Sequence, residues 1–550
     1  MSYNNNLFLT EVVGVLPEIF LVLCCLGELM ISLFTSTNKI FYTLEAQSVI
    51  QRIIFYFLVA IAIMLFYPVY NSFAITGNIF FAGAFQLNTA LVHTKIAISC
   101  FTIFILIISA PYLKQLQSNN YEFGALIGLT AVAMFFVISA YNLVVLYLAL
   151  ELQALLLFIL MSWHRHSRWS LEATLKYVLV NLLSSIFFLL AINRCFSVVG
   201  SVSYVAIANY YVPLLHSLLP EARNVLLLYP EEYPNIIYNY IGFQSISQTG
   251  WGLALTFLLI AFSLKLGVAP FHLWVPDIYA NGPIPVVGFL ATASKVSYVS
   301  ALAILLGYVF YPILAYWQWF FGLSALISVG LGNLGLYKQT QLMRIVGISS
   351  IASGGYLYLI FGFAPSIYLY PLAVGYMILS AFLNCNLLML TSTTFLTYSK
   401  DIKETNSLIQ HVNDLAALRY SSTHKFWVFA LALNLCSFAG IPPLLGFWGK
   451  FLTYTTIMHS MHGSSLVIIY LFCLMILTLI GAAMYLRMLS VLLFEEPLEI
   501  ISYTVSDKRF HAINFFLFFI NAFFIIYFSA EEIFLHFTPY YSSSVGFFWL

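Results

Sequence analysis

Four charged side chains stand deep in apolar sequence. Glu151 lies in VLYLALELQALLLFIL, with uncharged residues for about two helical turns on either side. Lys265 lies in LLIAFSLKLGVAPFH, Lys295 in VGFLATASKVSYVSALAI and Lys450 in GIPPLLGFWGKFLTY. A charge inside a membrane span costs at least about 2.5–3.5 kcal/mol, and such residues usually face a protein interior or an aqueous path. A structural reading of any one of them is a Lys–Glu pair that fixes two helices, or a lysine that snorkels to the interface. It weakens for the four together, because one carboxylate cannot neutralise three cations. At least two of the lysines need water, a carbonyl lining or a neutral state. A lysine driven toward its neutral form by desolvation is a usable proton carrier. The chemistry these types and positions point to is movement of protons or similar cations.

Other charges read differently. Lys176 sits about one and a half turns into its helix in SLEATLKYVLV, so snorkelling inward competes with a role as an additional relay. Arg194 and Lys95 fall near outer helix ends and read as interface anchors. Glu18 and Glu28, on the first span, are expected to meet a neighbouring helix or subunit. Asp277 follows Pro276 at an inner loop, where a turn or cap is expected.

Helix breaks accompany two of the lysines. Pro270 interrupts KLGVAPFHLWVP, and Gly440, Pro442 and Pro443 interrupt AGIPPLLG. Proline removes a backbone donor and frees a carbonyl, tolerable at membrane depth only where protein or water satisfies it again. Counted along the chain, the breaks fall in the seventh and twelfth apolar spans. Those spans are separated by an odd number and therefore run in opposite directions. That is the pattern of inverted repeats around a midplane ion site.

The elements that position these residues must be membrane spans. Of 550 residues, 62% are hydrophobic and 7% charged, against about 25% charged in soluble chains. The net charge is +1 with no basic tract, which gives nucleic-acid binding no support. Seven cysteines show no metal-type spacing and read as small buried hydrophobes. No dinucleotide fingerprint, flavin motif or Fe–S cysteine set is present, so neither a metal nor a cofactor is expected in this chain. The first ten residues resemble neither a signal nor a transit peptide.

The reading is an all-α polytopic protein of about fourteen transmembrane helices, from a first core at 11–35 to a last at 511–530. With the N-terminus outside, the inner connections hold fourteen of the lysines and arginines and the outer ones only Arg223, in keeping with the positive-inside rule. Residues 197–250 form a long acidic outer loop. Residues 397–426, with an apolar stripe of Leu408, Val412, Leu415 and Leu418, read as an amphipathic helix on the inner surface. The expected divisions are 1–122, with the first three helices; 123–306 and 307–490, each a five-helix repeat (helices 4–8 and 9–13); and 491–550, with the last helix and a tail.

The segments LKLGVAPFHLWVPDIYANGPIPVVGFLATASK, SLEATLKYVLVNLLSS, QLMRIVGISSIASGGY, VNDLAALRY and GIPPLLGFWGKF together resemble the antiporter-like membrane subunits of respiratory complex I, from about Pro17 to Arg487. The resemblance implies that Glu151 and Lys265 form a coupling ion pair, that Lys295 is the central relay and Lys450 the exit-side lysine, and that Lys176 is the lysine of the family's SxEAxxKY motif. It also implies work in a complex with NADH, FMN, Fe–S clusters and ubiquinone in partner subunits. The neighbours it implies are other membrane subunits, including antiporter-like subunit 4 and the small ones, and lipids. The sequence departs from the family at Ala280 or Asn281, where bacterial relatives usually have an acidic residue, and at Ser353–Gly354, where they have a histidine. Water or Ser353 must substitute for that histidine. The composition suits a mitochondrial inner membrane, with a bacterial plasma membrane as the alternative. Rival readings are a subunit of a multisubunit cation/proton antiporter and an inactive spacer of the membrane arm.

Overall fold

The computed structural model describes residues 11–12, 14–37, 46–70, 78–115, 122–164, 167–210, 251–311, 317–392, 394–398, 406–408, 411–420, 425–460, 465–495, 501–505 and 521. The expected last helix at 511–530 (Asn521 apart), the C-terminal tail and most of the 197–250 loop lie outside these residues.

The chain is a multi-pass helical membrane protein, and among the described residues nine helices are long and apolar enough to cross a bilayer. Three N-terminal helices, α1 (Leu16–Thr37), α2 (Ala46–Tyr70) and α3 (Thr89–Gln115), are followed by α4 (Glu122–Ser139), α5 (Leu143–Met161) and α6 (Arg168–Val199). Asn142 caps α5, accepting from the Val144 N–H at 2.9 Å, and Gly200 in the left-handed region ends α6. Then come α7 (Trp251–Leu266), α8 (Trp274–Asn281), α9 (Ile284–Ala291), α10 (Ala293–Ile304), α11 (Gln318–Gly335), α12 (Leu342–Phe363) and α13 (Ser366–Ser392). The last three described helices are α14 (Lys425–Ala439), α15 (Leu445–Ser460) and α16 (Ser465–Phe494).

The two expected breaks are present and share one backbone design. After α7, the Gly267 N–H donates to Ser263 O, the Val268 N–H to the same carbonyl, and the Phe271 N–H to Val268 O. After α14, the Gly440 N–H donates to Cys436 O, the Ile441 N–H to the same carbonyl, and the Leu444 N–H to Ile441 O. Gly267 and Gly440 have φ of 69° and 85°, the left-handed conformation that closes a helix with a six-to-one hydrogen bond. Thus G-V-A-P and G-I-P-P terminate their helices in the same register, and the 427–458 run divides into α14 and α15.

A third interruption was not foreseen. The span expected to be continuous over 284–306 is broken at Thr292 (φ −118°, ψ −88°), between α9 and α10, and ends in a π turn at Leu305–Val309. No proline or glycine stands at Thr292 to announce it. This span is buried throughout, so the core of the molecule surrounds it.

The expectation of a purely α protein and of an amphipathic helix over 397–426 is corrected. Strands β3 (Thr394–Tyr398), β4 (Asn406–Leu408) and β5 (Ile501–Val505) form an antiparallel sheet in the order β4-β3-β5, with Thr394 opposite Val505 and Phe395 opposite Leu408. β1 (Asn78–Phe80) and β2 (Phe85–Leu87) form a hairpin elsewhere. The β-branched and aromatic run TTFLTY favours a strand. The stripe's Val412 and Leu415 are buried, but in a 3₁₀ helix (Val412–Tyr420) anchored by Val412 N–H to Thr340 O.

Candidate functional site

Lys265 is the last residue but one of α7, ahead of the Gly267 turn. Its ammonium lies 3.4 Å from Asn181 Oδ1 on α6 and 5.7 Å from the centroid of the Tyr298 ring on α10. The break holds it there, because the Trp274 indole N–H reaches back from α8 to Leu264 O at 3.1 Å. Glu151, half-buried on α5, is near enough for the two charges to interact. None of the ion pairs within 4.0 Å among the described residues joins them.

Lys295 follows the Thr292 irregularity on α10 and is 3% exposed. Its Nζ donates to the Ser350 carbonyl on α12 at 3.3 Å. That carbonyl also accepts from the Ser353 hydroxyl at 2.9 Å, and Ser350 turns its own hydroxyl to Gly347 O. Lys450 is near the start of α15, and its Nζ donates to Phe438 O at 2.9 Å and Ala439 O at 3.1 Å. These are the last carbonyls of α14, which have no intrahelical partner and carry the negative end of the helix dipole. The break therefore creates the seat for the ammonium. Gly440 is required beside it: a Cβ there would come 3.0 Å from Lys450 Nζ.

A cavity of about 70 Å³ lies between α12 and Lys450. Ser349 and Ser353 on α12 and Lys450 on α15 lie in its wall, with Asn333, Tyr376 and Tyr485. It has room for about five to seven waters, taking about 10–15 Å³ for each. Ser353, in the stretch where the family usually carries histidine, thus faces the cavity that leads to Lys450.

Lys176 is not brought into this row. It pairs at 2.8 Å with both Glu172 and Asp277, and Asp277 also takes Arg344 of α12 at 3.2 Å. The expectation of a turn or cap role for Asp277 is corrected: α8 has Leu273 at its N-cap without a side-chain bond, and Asp277 is the hub of an ion-pair cluster. Lys95 is corrected as well. It is buried, not an interface anchor, and forms an ion pair with Glu18. Glu28 meets a neighbouring helix as expected, accepting both Arg52 Nε and Nη2 at 2.8 Å and the Tyr56 hydroxyl at 2.8 Å. Asn181, Tyr298, Ser350 and Asn333 went unnoticed in the sequence. Asn181 and Asn333 could have been found as amides inside apolar helices; Tyr298 is lost among 37 tyrosines.

Cations at helix breaks, with Lys265 and Lys295 buried and Lys450 half-buried beside a cavity, mark a helical membrane protein of the ion-translocating class. Residues 140–481 match the profile described as NADH:quinone oxidoreductase/Mrp antiporter, transmembrane, and the chain belongs to that family. Among its relatives, NADH-quinone oxidoreductase subunit N 1 of Acidiphilium cryptum is 28% identical over 486 residues, covering 88% of this chain and 89% of that one. The fold is similar to a chain of respiratory complex I from Thermus thermophilus (TM-score 0.68, 21% identity, 92% of this chain and 96% of that one). It is also similar to a chain of the Mrp complex of Dietzia (TM-score 0.66, 15% identity, 91% and 82%).

Proposed function

We propose that this chain is the antiporter-like subunit called N in bacteria and 2 in mitochondria, a proton-translocating core membrane subunit of NADH:quinone oxidoreductase. The observation that carries the reading is that one helix, α12, serves both Lys295 and the cavity at Lys450. Lys295 is bonded to Ser350, and Ser349 and Ser353 of the same helix open onto the cavity that contains Lys450. In this reading a proton held on Lys265 beside Glu151 passes to Lys295. It then crosses the cavity on water, with the Ser353 hydroxyl as a relay, and leaves outward from Lys450. Glu151 tunes Lys265 through space, and Lys176 stays in its ion-pair cluster. NADH, FMN, Fe–S clusters and ubiquinone belong to partner subunits, and the neighbours are membrane-arm subunits, including antiporter-like subunit 4 and small ones, and lipid.

The fold in this reading has fourteen spans in two inverted five-helix repeats, divided at 122, 306 and 490. The matching hydrogen-bond registers after Ser263 and Cys436 support it. The similarity runs to bacterial subunits, which favours a bacterial plasma membrane and lends no support to the mitochondrial one. A second reading, a subunit of a cation/proton antiporter without redox partners, is favoured by the Mrp likeness. Co-purification separates them: flavin and Fe–S subunits accompany a complex I subunit, and their absence from the intact complex overturns the first reading.

A further inference from the structure

We infer that Asn384 is a further positioning residue of the relay: its side-chain carbonyl holds the water from which Lys450 takes its proton. The inference rests on the relay reading above and supplies the last contact before exit. Asn384 stands on α13, is 4% exposed, and lines the same cavity as Ser353 and Lys450. Its Oδ1 meets no donor among the described residues. Leucine would fill much the same volume without burying an unpaired acceptor, so packing alone does not account for an amide here.

Two glycines bring the lysine to this face of α13. A Cβ on Gly449 would lie 3.3 Å from the Tyr376 ring, and one on Gly446 would lie 3.4 Å from Leu383 Cδ1. So α15 packs along the cavity wall that Tyr376, Leu383 and Asn384 share. Asn434 Nδ2 of α14 fixes that wall from another side by donating to Leu383 O at 3.4 Å. The Lys450 side chain runs back from α15 to Phe438 O and Ala439 O. These carbonyls follow Ser437, whose own carbonyl abuts Gly446. The ammonium is therefore drawn toward the Gly446 end of α15, the end beside Leu383 and Asn384.

The polar groups at this end leave one donor and one acceptor over. An ammonium has three N–H donors, and the α14 carbonyls take two from Lys450. The third N–H and Asn384 Oδ1 both belong to the wall of a cavity with room for water between them. A water that donates one hydrogen to Oδ1 keeps its second hydrogen and its lone pairs. It offers that hydrogen to neutral Lys450 and accepts an N–H from charged Lys450. In the loading step the second O–H bond breaks, its electron pair stays on oxygen, and an N–H bond forms on Lys450. The proton arriving from the Ser353 side makes the water whole. Asn384 itself neither gains nor loses a proton.

The test uses the assembled complex and two measurements. A cryo-EM map of the wild-type complex that resolves ordered waters is expected to show one at hydrogen-bond distance from Asn384 Oδ1, on the Lys450 side. A dry amide there overturns the inference whatever the variants do. In proteoliposomes, protons moved per electron pair and the solvent deuterium isotope effect are compared for Asn384→Leu, Asn384→Ser and Lys450→Ala. Misplacing a reacting group by about 1 Å costs about a hundredfold. Asn384→Leu is therefore expected to lose this subunit's share of pumping with a changed isotope effect, and Asn384→Ser, which keeps an oxygen acceptor, to recover part of both. If Asn384→Leu does not assemble, the map alone decides. Wild-type pumping and isotope effect in Asn384→Leu, with Lys450→Ala inactive, overturn the role of Asn384 and leave the lysine relay standing. Equal losses in the Leu and Ser variants with an unchanged isotope effect mark Asn384 as packing and overturn it too. Normal pumping by Lys450→Ala overturns the relay reading itself.

Discussion

Replacing Lys450 with arginine separates a carrier from a strut. The ammonium is seated by two carbonyls at 2.9 and 3.1 Å. Hydrogen bonds to a charged group are worth about 1.5–3 kcal/mol each, so the two carbonyls favour the charged form by about 3–6 kcal/mol, against the opposing cost of burying the charge. A membrane potential opposes outward transfer by about 2.3 kcal/mol per 100 mV for a full crossing. The two hydrogen bonds thus weigh at least as much as the field, and release requires the proton to depart and the neutral amine to let go of α14. Arginine has donors for both carbonyls but does not deprotonate in practice. Lys450→Arg should therefore assemble normally and move no protons through this subunit. Lys450→Glu keeps a titratable group but places it against two carbonyls, so it should assemble less well and retain partial transport. Proton-to-electron ratios of the assembled variants in proteoliposomes decide it. Pumping by Lys450→Arg at the wild-type ratio would refute the carrier role.

Other perturbations have equally definite outcomes. Glu151→Gln should leave assembly intact and reduce pumping; with no contact to Lys265 within 4.0 Å, the lost attraction is below the about 4 kcal/mol of a pair at that distance and an effective dielectric near 20. Unchanged proton-to-electron ratios remove Glu151 from the mechanism. Glu18→Gln strands a buried Lys95 and should destabilise the N-terminal helices by about 3–5 kcal/mol; lower yields of assembled protein, restored in Glu18→Met/Lys95→Met, are the check. Gly446→Ala places a methyl against the Ser437 carbonyl and should abolish assembly by forcing α14 and α15 apart, measured as loss of the chain from the purified complex. Protease added to the outer face of sealed vesicles should spare 397–426; cleavage there reverses the assigned orientation.

Much of the site was legible because a charge in an apolar run has few explanations. Glu151, Lys265, Lys295 and Lys450 were found that way, and the prolines gave the positions of two breaks. Composition could not supply partners. Lys95 and Glu18 are 77 residues apart, and no local signal told that they meet, so Lys95 was read from its place near a helix end. Asp277 looked like a loop residue because its two cations come from distant segments. The break at Thr292 is written in tertiary packing, with neither proline nor glycine to mark it. The strands at 394–398 and 501–505 were hidden for a related reason: each is short, and it pairs with chain more than a hundred residues away.

Asp277 serves two masters. It holds Lys176 of α6 at 2.8 Å and Arg344 of α12 at 3.2 Å, and it sits on α8, which continues the break carrying Lys265. Ser350, on the same helix as Arg344, supports Lys295. One carboxylate therefore ties the helix that follows the first break to both α6 and α12, the helix whose Ser350 carbonyl receives Lys295.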